Sequence, residues 1–154
     1  SSDVCSSDLT DTLMILDDCY NANPASMRAS LDVLALATGR RVAVMGDMKE
    51  LGENEEQLHF ETGEYAARKG IDTIVCIGPL ACQMYLGAKN LASGNTVLHY
   101  TGKKEFLHDL PSLFEAGDTV LVKASNSMKF SEIVEALTEF EANTKDEIEK
   151  GAKQ

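Results

Sequence analysis

A chain of 154 residues, 44% of them hydrophobic, is the size of one ordinary domain and carries enough apolar side chains for a core. Its formal net charge of -11 supplies no basic stripe to neutralise phosphates, which argues against a nucleic-acid or anionic-membrane surface. No apolar run approaches the roughly 20 residues of a membrane span, and Cys5, Cys19, Cys76 and Cys82 lack C-x-x-C spacing, which fits a reduced cytoplasm better than a disulfide framework.

In chain order, residues 1–9 (SSDVCSSDL) read as the translation of a sequencing-library adapter and are set aside. On that reading the chain is a gene fragment and its native domain covers residues 10–141. The first strand is expected over 12–18 (TLMILDD), followed by a helix opened by Pro24, with Met27, Leu31 and Leu34 on one face. A second strand over 41–47 (RVAVMGD) leads through the acidic run KELGENEE, which reads as a solvated loop, to a helix outlined by Leu58, Thr62, Tyr65 and Ala66. Lys69 and Gly70 end that helix. Strands follow over 72–78, 96–100 and 118–125. Between them lie a short helix over about 80–89 and the helical pattern KKEFLHDLPSLF, which Pro111 is expected to interrupt or restart. Ile133, Val134, Leu137 and Phe140 mark the last helix; the charged tail 142–154 reads as frayed or disordered.

Three of the strands are nearly continuous apolar runs, as in strands covered on both faces. Alternation of strand and helix then gives an α/β fold: a doubly wound, Rossmann-like, mainly parallel sheet of about five or six strands flanked by helices. Ligands bind such sheets beyond the carboxyl ends of the strands. The unusual residues gather there: six polar or reactive side chains among the seven residues from Asp17 to Asn23, then Gly46 and Asp47, then Lys123, Ser125, Asn126 and Ser127.

In the first group Asn23 suits a helix cap. Asp18 could accept from ribose hydroxyls or an arginine, Tyr20 could pack on an adenine ring, and Asn21 offers paired donors and acceptors. Neighbouring Asp17 and Asp18 point to opposite faces of a strand and make no acid–base pair. Gly46 permits a close approach, and Asp47 is available to a ligand or metal. Lys123 suits a carboxylate or phosphate, and Ser127 or Ser131 could cap the last helix. His59, His99 and His108 form no ligand spacing with the cysteines, so no metal site is expected. The chain contains no G-x-G-x-x-G, no G-x-x-x-x-G-K-[ST] and no G-x-S-x-G, so it reads as half of a site.

DDCYNANPASMRASLDVL, GRRVAVMGDMKELGE, LHFETGEYAARKGIDTIVCIG and GDTVLVKASNSMKFSEIVEAL, in that order, resemble the carboxy-terminal domain of the Mur ligases over about residues 11–137. Within the family the wording is similar to that of the members that join D-alanyl-D-alanine to UDP-N-acetylmuramoyl-tripeptide. The resemblance implies an ATP-dependent ligase of peptidoglycan synthesis acting through an acyl phosphate, with ATP and Mg2+ held mainly by a central P-loop domain. It implies a cytoplasmic monomer, inactive as this fragment. It places Asp18, Tyr20, Asn21 and Asn23 toward ATP, and Asp47, Lys123, Ser125 and Asn126 toward the dipeptide, with His59 a further candidate. Family members often read Lys-Gly-Ser-Arg-Gly-Met where this chain reads Lys-Ala-Ser-Asn-Ser-Met at 123–128, so an arginine contact is not available at Asn126. Two other readings stay open: a stand-alone nucleotide- or peptide-binding module, and the same domain of another Mur-type or folylpolyglutamate ligase.

Overall fold

The computed structural model describes residues 13–18 and 22–152, with side chains as far as residue 143. Residues 1–9, read as an adapter, lie outside the described residues, as do Tyr20 and Asn21. Five strands, β1 (Met14–Asp18), β2 (Arg41–Gly46), β3 (Thr73–Ile77), β4 (Thr96–Tyr100) and β5 (Thr119–Lys123), form one sheet in the order β1-β5-β2-β3-β4, with every neighbouring pair parallel. The helices are α1 (Pro24–Ala35), α2 (Glu55–Arg68), α3 (Ala81–Leu91), α4 (Lys103–Leu113) and α5 (Ser131–Ala152).

The apolar runs become the central strands because both faces of the sheet are covered. Every residue of β3 and β5, and all of β2 after Arg41, is buried. One face packs Ala43, Met45, Ile74 and Leu121 against Met27, Leu31 and Leu34 of α1, Ala66 of α2 and Met84 of α3. The other packs Val42, Val44, Val120 and Val122 against Phe106 and Leu110 of α4 and Ile133 and Leu137 of α5. Burying each of the Val, Leu, Ile, Met and Phe side chains among them is worth about 1.5–3 kcal/mol.

The helix ends follow their sequences. Asn23 and Ser26 form a reciprocal capping box at the start of α1, with Asn23 Oδ1 accepting from Ser26 N at 2.8 Å and Ser26 Oγ accepting from Asn23 N at 3.1 Å. After α2, Gly70 takes φ +77° while its N–H and that of Ile71 return to Ala67 and Ala66 carbonyls, closing the helix. Pro111 does not interrupt α4. It sits in the last turn, two residues before the end at Leu113, so only the bond to the carbonyl four residues back is lost and little helix remains for the ring to disturb. The tail, expected to fray beyond 141, is helical backbone as far as Ala152. Its Lys, Glu and Ala residues have good helix propensity and need no core contact to extend an existing helix. Ser131 is the first residue of α5, and Ser127 lies instead in a short 3-10 turn, Asn126–Met128.

Candidate ligand-binding edge of the sheet

β5 lies between β1 and β2, yet the loops leaving β1 and β2 lead to helices on one face and the loop leaving β5 leads to α5 on the other. The chain therefore parts on either side of the β5 carboxyl end, the switch point at which open parallel sheets form a ligand crevice. Register sets Lys123 level with Asp18 of β1 and Met45 of β2, so the polar groups after three strands meet at this point.

Alternation turns Leu16 toward the α1 face and Ile15 toward the α5 face, so Asp18 faces α1 and Asp17 does not. Lys123, two residues after Leu121, faces the same way. Its Nζ lies 2.5 Å from Asp18 Oδ2; the Lys123 side chain is 2% exposed and that of Asp18 46%. Ser30 on α1 donates to the same Oδ2 at 2.9 Å. Asn23 uses its Oδ1 in the cap beside them.

Asp47, just after β2, is fully buried. Oδ1 accepts the N–H of Ala81 at 2.8 Å, at the first turn of α3, where a carboxylate is favoured. Oδ2 has no hydrogen bond, and the half-exposed Lys49 ammonium stands 3.6 Å away. Gly78 adopts φ +121°, and a Cβ there would fall 2.4 Å from Asp47 Oδ1, so only glycine leaves room for this carboxylate. Gly46 is also required, though not for a ligand. A Cβ would meet Phe130 Cζ at 2.4 Å and Ala124 Cβ at 2.8 Å, so the close neighbour is the core under α5.

The backbone of the three residues from Asp47 to Lys49 is pinned by three hydrogen bonds to two residues. Ser125 donates its N–H to the Asp47 carbonyl at 3.1 Å and accepts the Lys49 N–H on Oγ at 2.8 Å. His59 accepts the Met48 N–H on Nε2 at 2.9 Å, while its Nδ1 lies 2.6 Å from the Glu55 carbonyl. A carbonyl can only accept, so Nδ1 carries the proton and the ring is the neutral Nδ1–H tautomer. His59 has no exposed surface and both nitrogens are occupied, the arrangement of a structural histidine. Ser125 is buried and fastens one loop to another. Asn126 and Ser127 are exposed at the crevice.

The structure thus brings Asp18, Asn23, Asp47, Lys123, Ser125 and Asn126 to one edge, with His59 behind it. Sequence reasoning missed Ser30 and Lys49. Ser30 lies three residues after Met27, at the border of the apolar stripe of α1, which is the signal that could have placed it against β1. Lys49 falls within the acidic run taken as solvated; its separation of two residues from Asp47 was the clue.

No described helix is long and apolar enough to cross a membrane, and no group of three His, Cys, Asp or Glu among the described residues could hold a metal ion.

Residues 4–126 match the family model described as Mur ligase, glutamate ligase domain. The UDP-N-acetylmuramoyl-tripeptide–D-alanyl-D-alanine ligase of Bacillus subtilis is 38% identical over 129 residues, covering 82% of this chain and 28% of that protein. The enzyme of the same name from Escherichia coli is 39% identical over 133 residues, covering 85% and 28%. Among solved structures, MurF from Acinetobacter baumannii superposes with a TM-score of 0.74 at 33% identity over 82% of this chain and 28% of its own. MurF ligase from Thermotoga maritima, in complex with ADP, does so with 0.69 at 29% identity over 88% and 30%. The chain therefore spans less than a third of the length of these relatives. Over most of its residues it matches one family in sequence and in fold: it belongs to the Mur ligase family.

Proposed function

We propose that this chain is the carboxy-terminal domain of an ATP-dependent ligase that joins D-alanyl-D-alanine to UDP-N-acetylmuramoyl-tripeptide in peptidoglycan synthesis, in the cytoplasm. The observation that carries the reading is the switch point at the carboxyl end of β5, where Asp18 presents a half-exposed carboxylate. The relatives named for this reaction, and the ADP complex of one of them, support it. In the reaction ATP supplies the phosphoryl group that turns the tripeptide's terminal carboxylate into an acyl phosphate. The dipeptide amine then displaces phosphate to leave an amide.

The residues present fit a share of that task. Asp18 offers its free Oδ1 to sugar hydroxyls beside the α1 N-terminus, with Tyr20, Asn21 and Asn23 assigned to the same nucleotide. Asp47, Lys49, Ser125 and Asn126 border the approach of the dipeptide, Ser125 by fixing the loop and Asn126 by direct exposure. Closure of this edge over a central domain would bring the amine into line and exclude water. The described residues offer no donor set for Mg2+, so its ligands are assigned to the central domain together with the P-loop.

The test is phosphate release from ATP in the presence of both substrates. The isolated chain, a monomer, is expected to release none, and the full-length parent cloned from the source DNA to release one phosphate per amide formed. Turnover by the isolated chain, or a parent that uses a different amine, would refute the assignment.

A further inference from the structure

A carboxylate at a strand end, half exposed, ordinarily turns freely about its side-chain bonds. Asp18 is held. Two donors from different elements converge on one of its oxygens, Lys123 Nζ at 2.5 Å from β5 and Ser30 Oγ at 2.9 Å from α1. Among the described residues no donor reaches Oδ1. The asymmetry of burial shows which partner is the fixed post. The Lys123 side chain is 2% exposed and cannot swing into water, whereas that of Asp18 is 46% exposed. A buried ammonium needs its counter-charge, so the pair is retained as a unit. The lysine also cancels the charge of the carboxylate, and a polyanionic ligand meets a neutral pair at the mouth of a crevice in a chain of net charge -11.

We infer that Ser30 and Lys123 are positioning residues that lock Asp18 with Oδ1 turned outward to accept from the vicinal hydroxyls of a nucleoside sugar; the inference rests on the nucleotide-facing reading given above. Two adjacent hydroxyls donate to one carboxylate with less loss of freedom when its plane is held before they arrive, and two bonds to Oδ2 from different elements restrict that plane. Lys123 accordingly acts on the ligand through Asp18, and Ser30 is as necessary as the lysine although it touches no ligand.

Backbone amide shifts of the 15N-labelled chain, titrated with ADP and with 2′,3′-dideoxy-ADP, test this. The wild-type chain is expected to prefer ADP by about tenfold, the worth of hydroxyl bonds to a charged acceptor. Ser30→Ala and Lys123→Met are each expected to bring the preference close to unity while amides of β3 and α3 keep their positions, and Ser30→Thr to restore it. A preference that survives in both variants, or that is absent from the wild type although ADP binds, overturns the positioning role and leaves the nucleotide reading intact. Where ADP shifts no amide of the isolated wild type, the same ligands are titrated into the full-length parent with the same variants, and an Asp18→Asn parent that binds ADP as tightly as the wild type refutes the nucleotide reading itself. Should Lys123→Met fail to fold, Ser30→Ala decides alone.

Discussion

Asp47 is a carboxylate with no exposed surface and one oxygen that no hydrogen bond reaches. Desolvating a charge costs several kcal/mol, and here only Oδ1, on the α3 N-terminus, recovers a direct bond. Lys49, 3.6 Å from Oδ2 and half in solvent, is screened and recovers little. An arrangement so poorly compensated is expected to serve ligand binding at some expense of stability. Asp47→Asn keeps an acceptor for Ala81 and removes the charge, so stability is predicted to hold or rise by about 1 kcal/mol. Urea denaturation measures it; a loss larger than that would show that the Lys49 pairing outweighs desolvation. The site was partly legible at this scale, since Asp18, Asp47 and Lys123 stand out as charges at the ends of apolar runs. The contact between Asp18 and Lys123 was not. The two are 105 residues apart, and nothing in either run states that β1 and β5 are neighbours. His59 is a different case: histidine invites a chemical role, and the geometry gives it two backbone partners that its sequence position did not announce.

Among the elements, α2 and α3 cross closely through two glycines. A Cβ on Gly63 would fall 1.9 Å from the Met84 carbonyl oxygen, and one on Gly87 2.0 Å from that of Phe60. Both obstacles are backbone, so relief requires the helices to separate. Gly63→Ala is predicted to destabilise by about 2–3 kcal/mol despite the better helix propensity of alanine; thermal unfolding of the variant checks it, and an unchanged midpoint would mean the helices slide apart freely. Element type was readable because the central strands carry no polar interruption and the helices carry a stripe. Helix spacing was not, since a glycine in a periodic segment signals weakness locally and close approach only once its neighbour is known. Pro111 misled for a related reason: its effect depends on how many residues follow it, and α4 ends two later.

For the whole molecule, alternation of strands and helices predicted a doubly wound parallel sheet, but not its order. Order depends on which face each crossover takes, and α4, the first helix on the second face, carries the chain back from β4 to the place between β1 and β2. Alkali probes the stability of this assembly at one edge strand. Burial, and then a hydrogen bond to Asp109, raise the Tyr100 phenol to about 12. A folded value above the unfolded value of about 10 means that its contribution is complete below pH 10 and is lost as the pH climbs toward 12. Tyr100→Phe should therefore flatten the fall in urea midpoint between pH 10 and 12; an equally steep fall in the variant would assign the alkaline loss to other groups.

The placement of β5 also has a temporal side. β1 pairs with no described strand other than β5, and β2 meets β3 on one flank only until β5 arrives. A ribosome releases β1 more than a hundred residues before the strand that must lie against it, and loop closure over that span has to be completed before either flank is rewarded. Growing chains that end before residue 119 should thus hold β2, β3 and β4 as a loose half-sheet with an open edge, exposed to chaperones and to strands of other nascent chains. The last described strand works as a keystone: its insertion brings the candidate ligand edge together and joins β1 to the rest of the sheet.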